Sequence, residues 1–365
     1  MINKSTKLLA LATLFFYSYI QSSYSNIPLG ATSTWTIANI DRVEKSADTV
    51  LINDGPYVFI KENSLIEKYI VNGKVETKKL SIESTTTHFN AEPAVYKKVK
   101  KIAALSDIHG QYDLFINILK NNKIISKNLD WSFGKGHLVI VGDVFDRGDR
   151  VTETLWFIYN LEKQARKSGG RVHFLLGNHE YMVIHNDLRY IHKKYKLSSE
   201  LLNSNYAQLY GNHTVLGRWL RSKPTIIKIN DNLFVHGGIS QEFINQGYDL
   251  EGTNKLMRES LDRDKEEMKS GPFYKRYYGS NGPIWYRGYF NGVVQDTEIS
   301  NILNQLNVNH IIVGHNSQVQ VLQLFDKKVF AVDSSIKKGE TGEILLIRKK
   351  LYYRGTMQGE KIIFD

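Results

Sequence analysis

The 365-residue chain contains no cysteine. That excludes disulfides, thiolate metal sites, a cysteine nucleophile and a lipidated cysteine behind a leader, so any metal must be held by His, Asp, Glu or Asn. Beyond residue 25 no segment approaches 18 uninterrupted apolar residues, which sets the expectation of a soluble mature chain away from the membrane. Repeats and low-complexity tracts are absent too. Acidic residues are outnumbered, giving a net charge of +11, yet the positives are scattered. The densest patch, Lys97-Lys98-Val99-Lys100-Lys101, reads as the solvated approach to a strand, so no nucleic-acid partner is expected. With 42% hydrophobic and 23% charged residues, the chain is of ordinary globular type and long enough for one large domain or two smaller ones.

The first 25 residues stand apart. Lys4 and Lys7 precede the apolar run Leu8 to Ile20, and Ser23-Tyr24-Ser25 is a small-x-small site, the pattern of a cleaved secretory leader. Cleavage there removes two lysines and no acids, lowering the net charge from +11 to +9, and predicts a periplasmic or secreted protein. Residues 26–95 read as a small β-rich extension: Trp35 to Ile40, Thr49 to Leu51, Tyr57 to Lys61, Tyr69 to Val71 and Lys78 to Ser81 look extended. The turn signals between them are Asn53-Asp54-Gly55-Pro56 and Asn72-Gly73, the latter suited to a two-residue hairpin. Thr85-Thr86-Thr87 to Pro93 looks like a linker.

From residue 96 the rhythm becomes strand, loop, helix. Five apolar runs end in polar residues: Ile102 to Leu105 at Ser106-Asp107, Leu138 to Val141 at Gly142-Asp143, Val172 to Leu176 at Gly177-Asn178, Leu233 to Val235 at His236, and His310 to Val313 at Gly314-His315. Continuous apolar strands delivering polar groups at their C-terminal ends are how α/β sheets assemble sites. Later strands near Val321, Val329, Glu343 and Leu351 lie close together and suggest a second sheet completed by hairpins. Helical insertions are expected near 186–222 and 252–270, the latter a charged helix with Thr253 as a plausible N-cap.

The strings at those strand ends are Asp107-Ile108-His109-Gly110, Gly142-Asp143-Val144-Phe145-Asp146-Arg147-Gly148, Gly177-Asn178-His179-Glu180, His236-Gly237-Gly238 and Gly314-His315. Two cations about 3.5–4 Å apart can clamp a phosphoryl group and lower the pKa of a bridging water. They need a shared carboxylate and further oxygen and nitrogen ligands. Asp107 and His109 can meet one metal, Asp143 is the natural bridge, and Asn178, His236 and His315 can bind the second. His179 can protonate a leaving oxygen, Asp146 can hold it in the productive tautomer, and Arg147 can fork onto phosphate. Each string alone is weak; the ordered set is not. His88, His137, His173, His185, His192, His213 and His310 lack such placement and read as ordinary surface residues.

This set resembles the calcineurin-like metallophosphoesterases. The Asp146-Arg147-Gly148 element and the Glu180 ending are similar to the phosphoprotein phosphatase branch, which also contains bacterial diadenosine tetraphosphate hydrolases. The leader and the run Gly142 to Asp149 draw the likeness towards the bacterial Shewanella-like phosphatases. It covers about residues 100 to 335. The resemblance implies a four-layer α/β sandwich of two mixed sheets flanked by helices, metals between the sheet ends, and hydrolysis without a covalent intermediate. It also implies a second phosphate-clamping arginine between the two late histidine motifs. Arg287, in Trp285-Tyr286-Arg287-Gly288, is the candidate, with Arg218 and Arg221 as rivals. Leu176 before Gly177, Gln241 after Ser240, and Asp333-Ser334-Ser335-Ile336 depart from the eukaryotic pattern. They leave the metal chemistry in place and the choice among phosphoserine, phosphothreonine and phosphotyrosine open.

The resulting expectation is an exported phosphomonoesterase with two divalent or transition metals (Mn, Fe or Zn), in which metal-bridging hydroxide attacks phosphorus directly. Its substrate would be a phosphorylated protein or peptide, or a small phosphate ester. A dinucleoside polyphosphate hydrolase shares the same motifs, and a catalytically silent metal-stabilised binding module is the alternative of another class. Tyr274, Tyr277, Tyr278, Tyr286 and Tyr289, interleaved with Lys275, Arg276 and Arg287, read either as packing under the second insertion or as the flank of a substrate groove.

Overall fold

The computed structural model describes residues 51–364. The expected leader, the piece Trp35 to Ile40 and all but the end of Thr49 to Leu51 lie outside the described residues. The described residues divide into two compact units, with the boundary between Thr87 and His88.

In the smaller unit an antiparallel meander runs β1 (Asp54–Lys61), β2 (Ser64–Val71), β3 (Lys74–Ser81), with β2 at its centre. Asn72 and Gly73 join β2 to β3 with φ of 49° and 73°, the left-handed pair that a type I′ hairpin requires. Residues 54–56, expected as a turn, instead open β1, where the Tyr57 hydroxyl donates to Asp54 Oδ2 at 2.7 Å. The lysines of the exposed edge strand β3 leave it poorly suited to pairing with another chain.

The larger unit begins earlier than the expected boundary at 95. β4 (Val95–Tyr96) pairs in parallel with β8 (Ile226–Ile229), and Glu92 binds the buried Lys223 ammonium at 2.7 Å. A residue pair too short to register as a strand in sequence is thus held by its partners. Lys223 also binds Glu162 at 2.6 Å, and Glu162 accepts from the Trp219 indole at 2.9 Å. Removing one member of a buried charge set strands the others. Lys223→Met is therefore expected to destabilise the protein by about 3–5 kcal/mol. Denaturant unfolding checks this; a loss under about 1 kcal/mol, the scale of an exposed pair, would show the set to be solvated.

The remaining strands are β5 (Lys101–Leu105), β6 (His137–Ile140), β7 (Arg171–Phe174), β9 (Asn232–Val235), β10 (His310–Val313), β11 (Leu322–Leu324), β12 (Val329–Ala331), β13 (Glu343–Arg348), β14 (Leu351–Thr356) and β15 (Lys361–Ile363). They form two six-stranded mixed sheets, ordered β15-β14-β13-β5-β6-β7 and β11-β12-β10-β9-β8-β4. The core between the sheets follows the two-residue period of a strand. Ile102, Ala104, Val139, Val141, Leu345 and Ile347 from the first sheet join Ile227, Ile229, Phe234, Ile312 and Phe330 from the second. Helix Val151–Lys167 packs on β7 with helix Tyr112–Asn121 beside it, and helix Leu250–Glu259 packs on β8. The result is the expected layering of two mixed sheets flanked by helices.

Two expectations about connectivity are corrected. The five site-bearing strands do not share one sheet: β5, β6 and β7 are parallel neighbours in the first, while β9 and β10 are parallel neighbours in the second. Nor do the late strands make a sheet of their own. β12 extends the second sheet beside β10, whereas β13 pairs antiparallel with β5 and carries β14 and β15 onto the first. An apolar run reports burial on both faces, not the sheet that supplies it. The charged insertion is also two helices. Asp249, not Thr253, caps Leu250–Glu259, and Asp264 caps a second start at Lys265–Lys269 by accepting from the amides of Glu266 and Glu267.

Candidate metal centre and active site

The site lies at the C-terminal ends of β5, β6, β7, β9 and β10. Its loops are tight: Asp107, His109, Asp143, Asp146, Arg147 and His315 all have positive φ, between 46° and 72°. Six non-glycine residues in the left-handed region mark a backbone bent to aim side chains. Glycines make room between the turns. A Cβ on Gly314 would lie 2.0 Å from Ser106 Oγ, and one on Gly142 would lie 2.7 Å from His236 Nδ1.

Glu180 fixes two of these loops at once. Its buried carboxylate accepts from the amides of Gly177, Asp143 and Val144 at 2.7, 2.9 and 2.7 Å. Sequence reading gave Glu180 no role, although a Glu three residues after Gly177 at a helix start is a capping signal. Ser106 was also passed over; its hydroxyl donates to Asp107 Oδ2 at 2.5 Å, and the His315 amide donates to the same oxygen at 2.9 Å. Asp107 Oδ1 is thereby turned towards His109 Nε2, 3.7 Å away.

Asp143 is the hub. Its Oδ2 lies 3.7 Å from His109 Nε2, 3.8 Å from His179 Nε2 and 3.2 Å from His236 Nε2. Two donor clusters, His109-Asp143-His179 and Asp143-His236-His315, share this carboxylate. His179 rather than Asp107 completes the first by proximity.

The donor chemistry fits cations. His109 Nδ1 lies 2.6 Å from the Phe145 carbonyl and His236 Nδ1 2.7 Å from the Val141 carbonyl. Those hydrogen bonds place the ring protons on Nδ1 and leave each Nε2 a lone pair. At His236 that lone pair would then meet Asn178 Oδ1 at 3.0 Å and Asp143 Oδ2 at 3.2 Å. Three acceptors converging in a buried site require a positive charge among them. Burial opposes charge on His236, yet the Asp143 carboxylate lifts it to about 10, so a proton fills the need when no metal does. His315 is the converse: burial, with His236 and Arg287 nearby, lowers it to about 3. Its Nε2 is buried with no hydrogen-bond partner, a neutral donor aimed into the site.

His179 Nδ1 sits 2.5 Å from Asp146 Oδ2. Burial disfavours the charged ring, but the Asp143 and Asp146 carboxylates override it and raise its pKa. Arg147 is exposed at the mouth. Arg287 also reaches the site: it hydrogen-bonds the Asn316 side-chain oxygen and feels the charges of Asp107 and Asp143. Its rivals are occupied elsewhere, Arg221 on Asp262 at 2.7 Å and Arg218 on the Asn212 carbonyl at 2.8 Å.

The donor strings thus converge at the strand ends, on a frame already seen in known proteins. The sequence model of the calcineurin-like phosphoesterases matches residues 100–318. The chain belongs to this family. It is a metal-dependent phosphoester hydrolase of mixed α/β metallophosphoesterase fold, and the family implies divalent metals at this site. The cold-active protein-tyrosine phosphatase of a psychrophilic Shewanella species is 43% identical, with a TM-score of 0.83, over 86% of this chain and 100% of that one. An uncharacterised Schizosaccharomyces pombe protein is 30% identical over 257 residues, 68% of this chain and 76% of its own. Shewanella-like protein phosphatase 2 of Arabidopsis thaliana is 25% identical over 304 residues, 70% of this chain and 76% of its own.

A groove of about 740 Å³ opens beside Asn178, lined among others by Met182, Lys265, Tyr274, Tyr278 and Trp285. The tyrosine-rich stretch is divided between packing and groove lining. Tyr277, Tyr286 and Tyr289 are buried packing, and Tyr274 and Tyr278 also face the groove. His137 and His173 are not surface residues: they are buried, 2.9 Å apart, beneath Tyr96. His192 caps helix Lys193–Leu201.

Proposed function

We propose that this phosphoesterase is an exported, dinuclear phosphomonoesterase that dephosphorylates proteins or peptides. The observation that carries the reading is the sharing of Asp143 between two donor clusters, with the His179–Asp146 pair beside them. Asp107, His109 and Asp143 would hold one cation, and Asp143, Asn178, His236 and His315 the other; the all-oxygen-and-nitrogen set suits Mn²⁺, Fe or Zn²⁺. When bound, such cations activate water near neutral pH and neutralise phosphoryl charge. Arg147 and Arg287 orient the phosphate oxygens. His179, held by Asp146, gives its proton to the departing oxygen.

Several things support a protein substrate. Residues flanking a phosphoresidue can lie in the groove of about 740 Å³ that opens beside Asn178, and the chain is similar to a protein-tyrosine phosphatase and to Shewanella-like protein phosphatases. Export is supported by Lys4, Lys7 and the apolar run behind them. The test is hydrolysis of phosphotyrosine, phosphoserine and phosphothreonine peptides, p-nitrophenyl phosphate and diadenosine tetraphosphate, with Mn²⁺ and with chelator. Chelator-sensitive release from a phosphopeptide is the expected result. Preference for the dinucleotide would replace the substrate class, and no turnover with metal bound would leave a binding module.

A further inference from the structure

We propose that Tyr190 selects the leaving group: its ring is an aromatic wall beside His179 against which an aryl leaving group packs, favouring aryl over alkyl phosphate monoesters. The proposal rests on the reading of His179 as the proton donor.

Tyr190 is oddly placed for a structural tyrosine. Tyr181, Tyr195, Tyr206 and Tyr210 nearby in sequence are buried, whereas Tyr190 is 43% exposed. Among the described residues it is the exposed one of the Tyr, Phe and Trp side chains. It is nonetheless held. Its carbonyl accepts the Arg147 amide at 2.9 Å, which ties its loop to the Asp146-Arg147 turn. The guanidinium carbons of Arg147 and Arg189 lie over its ring, 5.3 and 5.4 Å from the centre. Its ring centre is 5.5 Å from that of His179, at an interplanar angle of 50°. Cation–π contacts of this kind fix a ring that no core encloses. An exposed ring contributes little burial to folding and stays open to a ligand that reaches His179.

The reaction decides which part of the ligand arrives there. The oxygen that receives the proton must come within hydrogen-bond reach of His179 Nε2, because Nδ1 is engaged by Asp146. The group bonded to that oxygen is then the part of the substrate next to Tyr190. In a phosphotyrosine that group is a ring, and two rings pair at 4.5–7 Å between centres. In a phosphoserine it is one tetrahedral carbon, which leaves the Tyr190 face unpaired. Aromatic selectivity therefore sits on the leaving-group side, apart from the metal ligands and the phosphate-clamping arginines.

The test uses the full chain loaded with Mn²⁺ and the variants Tyr190→Ala, Tyr190→Leu and Tyr190→Phe. On a phosphotyrosine peptide, kcat/KM is expected to fall about 3- to 10-fold in the Ala and Leu variants, the worth of one aromatic pair. On the matching phosphoserine peptide it stays within about 2-fold. Tyr190→Phe keeps the wild-type preference. Competitive inhibition supplies a readout free of turnover on alkyl esters: phenylphosphonate weakens in the Ala and Leu variants, while methylphosphonate and inorganic phosphate do not. Equal losses on both peptides together with weaker phosphate inhibition would overturn the proposal, showing that the ring merely positions Arg147. Unchanged selectivity in all three variants would overturn it as well. A metal-loaded wild type that hydrolyses no ester would instead bring down the underlying phosphatase reading, and this inference with it.

Discussion

His179→Asn is expected to lower kcat on a phosphoserine peptide about 10²–10⁴-fold while both metals stay bound. The ring lies at the site through Nε2 and is anchored through Nδ1 on Asp146 at 2.5 Å, so the substitution removes the proton donor. Because Nε2 also lies among the donors of the first cluster, metal content is measured alongside. That gives the loss a signature. An alkoxide is too basic to depart unprotonated, whereas p-nitrophenolate leaves readily, so the loss on p-nitrophenyl phosphate should be much smaller. The pH profile offers a second check. The Asp143 and Asp146 carboxylates raise His179 against the effect of burial, so the protonated donor persists to higher pH than for a free imidazole. Asp146→Asn removes one of those charges, and the alkaline limb of kcat should move to lower pH. Equal losses on alkyl and aryl esters, or an alkaline limb that does not move, would take the proton-donor role away from His179.

Much of this centre was legible in sequence because metal chemistry is written in residue types. Asp107, His109, Asp143, Asn178, His236 and His315 converge because each follows a short apolar run, and five runs buried on both faces have few places to end. The distribution of those runs was not legible. β13 reads Glu343-Ile-Leu-Leu-Ile-Arg348 and looks like a hairpin partner for β14, which it is; its second partner, β5, lies over two hundred residues away. Pairing between distant strands leaves no local trace when both are uniformly apolar.

The polar scaffold was hidden for a different reason. Ser106 and Glu180 act on backbone amides and on a ligand's second oxygen, and such partners become visible only once the loops are folded. The choice of Arg287 over Arg221 likewise turns on an acid, Asp262, that only tertiary structure brings to Arg221. Tyr190 gave no signal, since nothing in sequence separates it from Tyr195, Tyr206 and Tyr210 of the same insertion, which are buried.

Asp143→Asn is expected to cost more than any other single change at the centre, because both donor clusters pass through this carboxylate. Its Oδ2 faces His109, His179 and His236, and its Oδ1 accepts the His179 amide at 3.0 Å. The isosteric amide keeps the shape and one acceptor but loses the negative charge that two cations need between them. Metal content should fall from two per chain to one or fewer, and turnover by on the order of 10³-fold or more, since several kcal/mol of charge stabilisation leave with the ions. The fold should survive. Neutralising Asp143 eases its repulsion of Glu180, which burial and the Asp143 charge raise to about 7. It also takes away the carboxylate that holds His236 and His179 protonated, so the chelated variant should unfold more easily than the chelated wild type. Asp107→Asn provides the contrast. Asp107 would hold the cation beside His109 and is not shared between the two clusters, so its loss should empty one position and spare the other. Metal analysis alongside unfolding of the chelated proteins separates the cases. Two ions retained in Asp143→Asn would mean that the clusters are independent, and the bridging role would have to be given up.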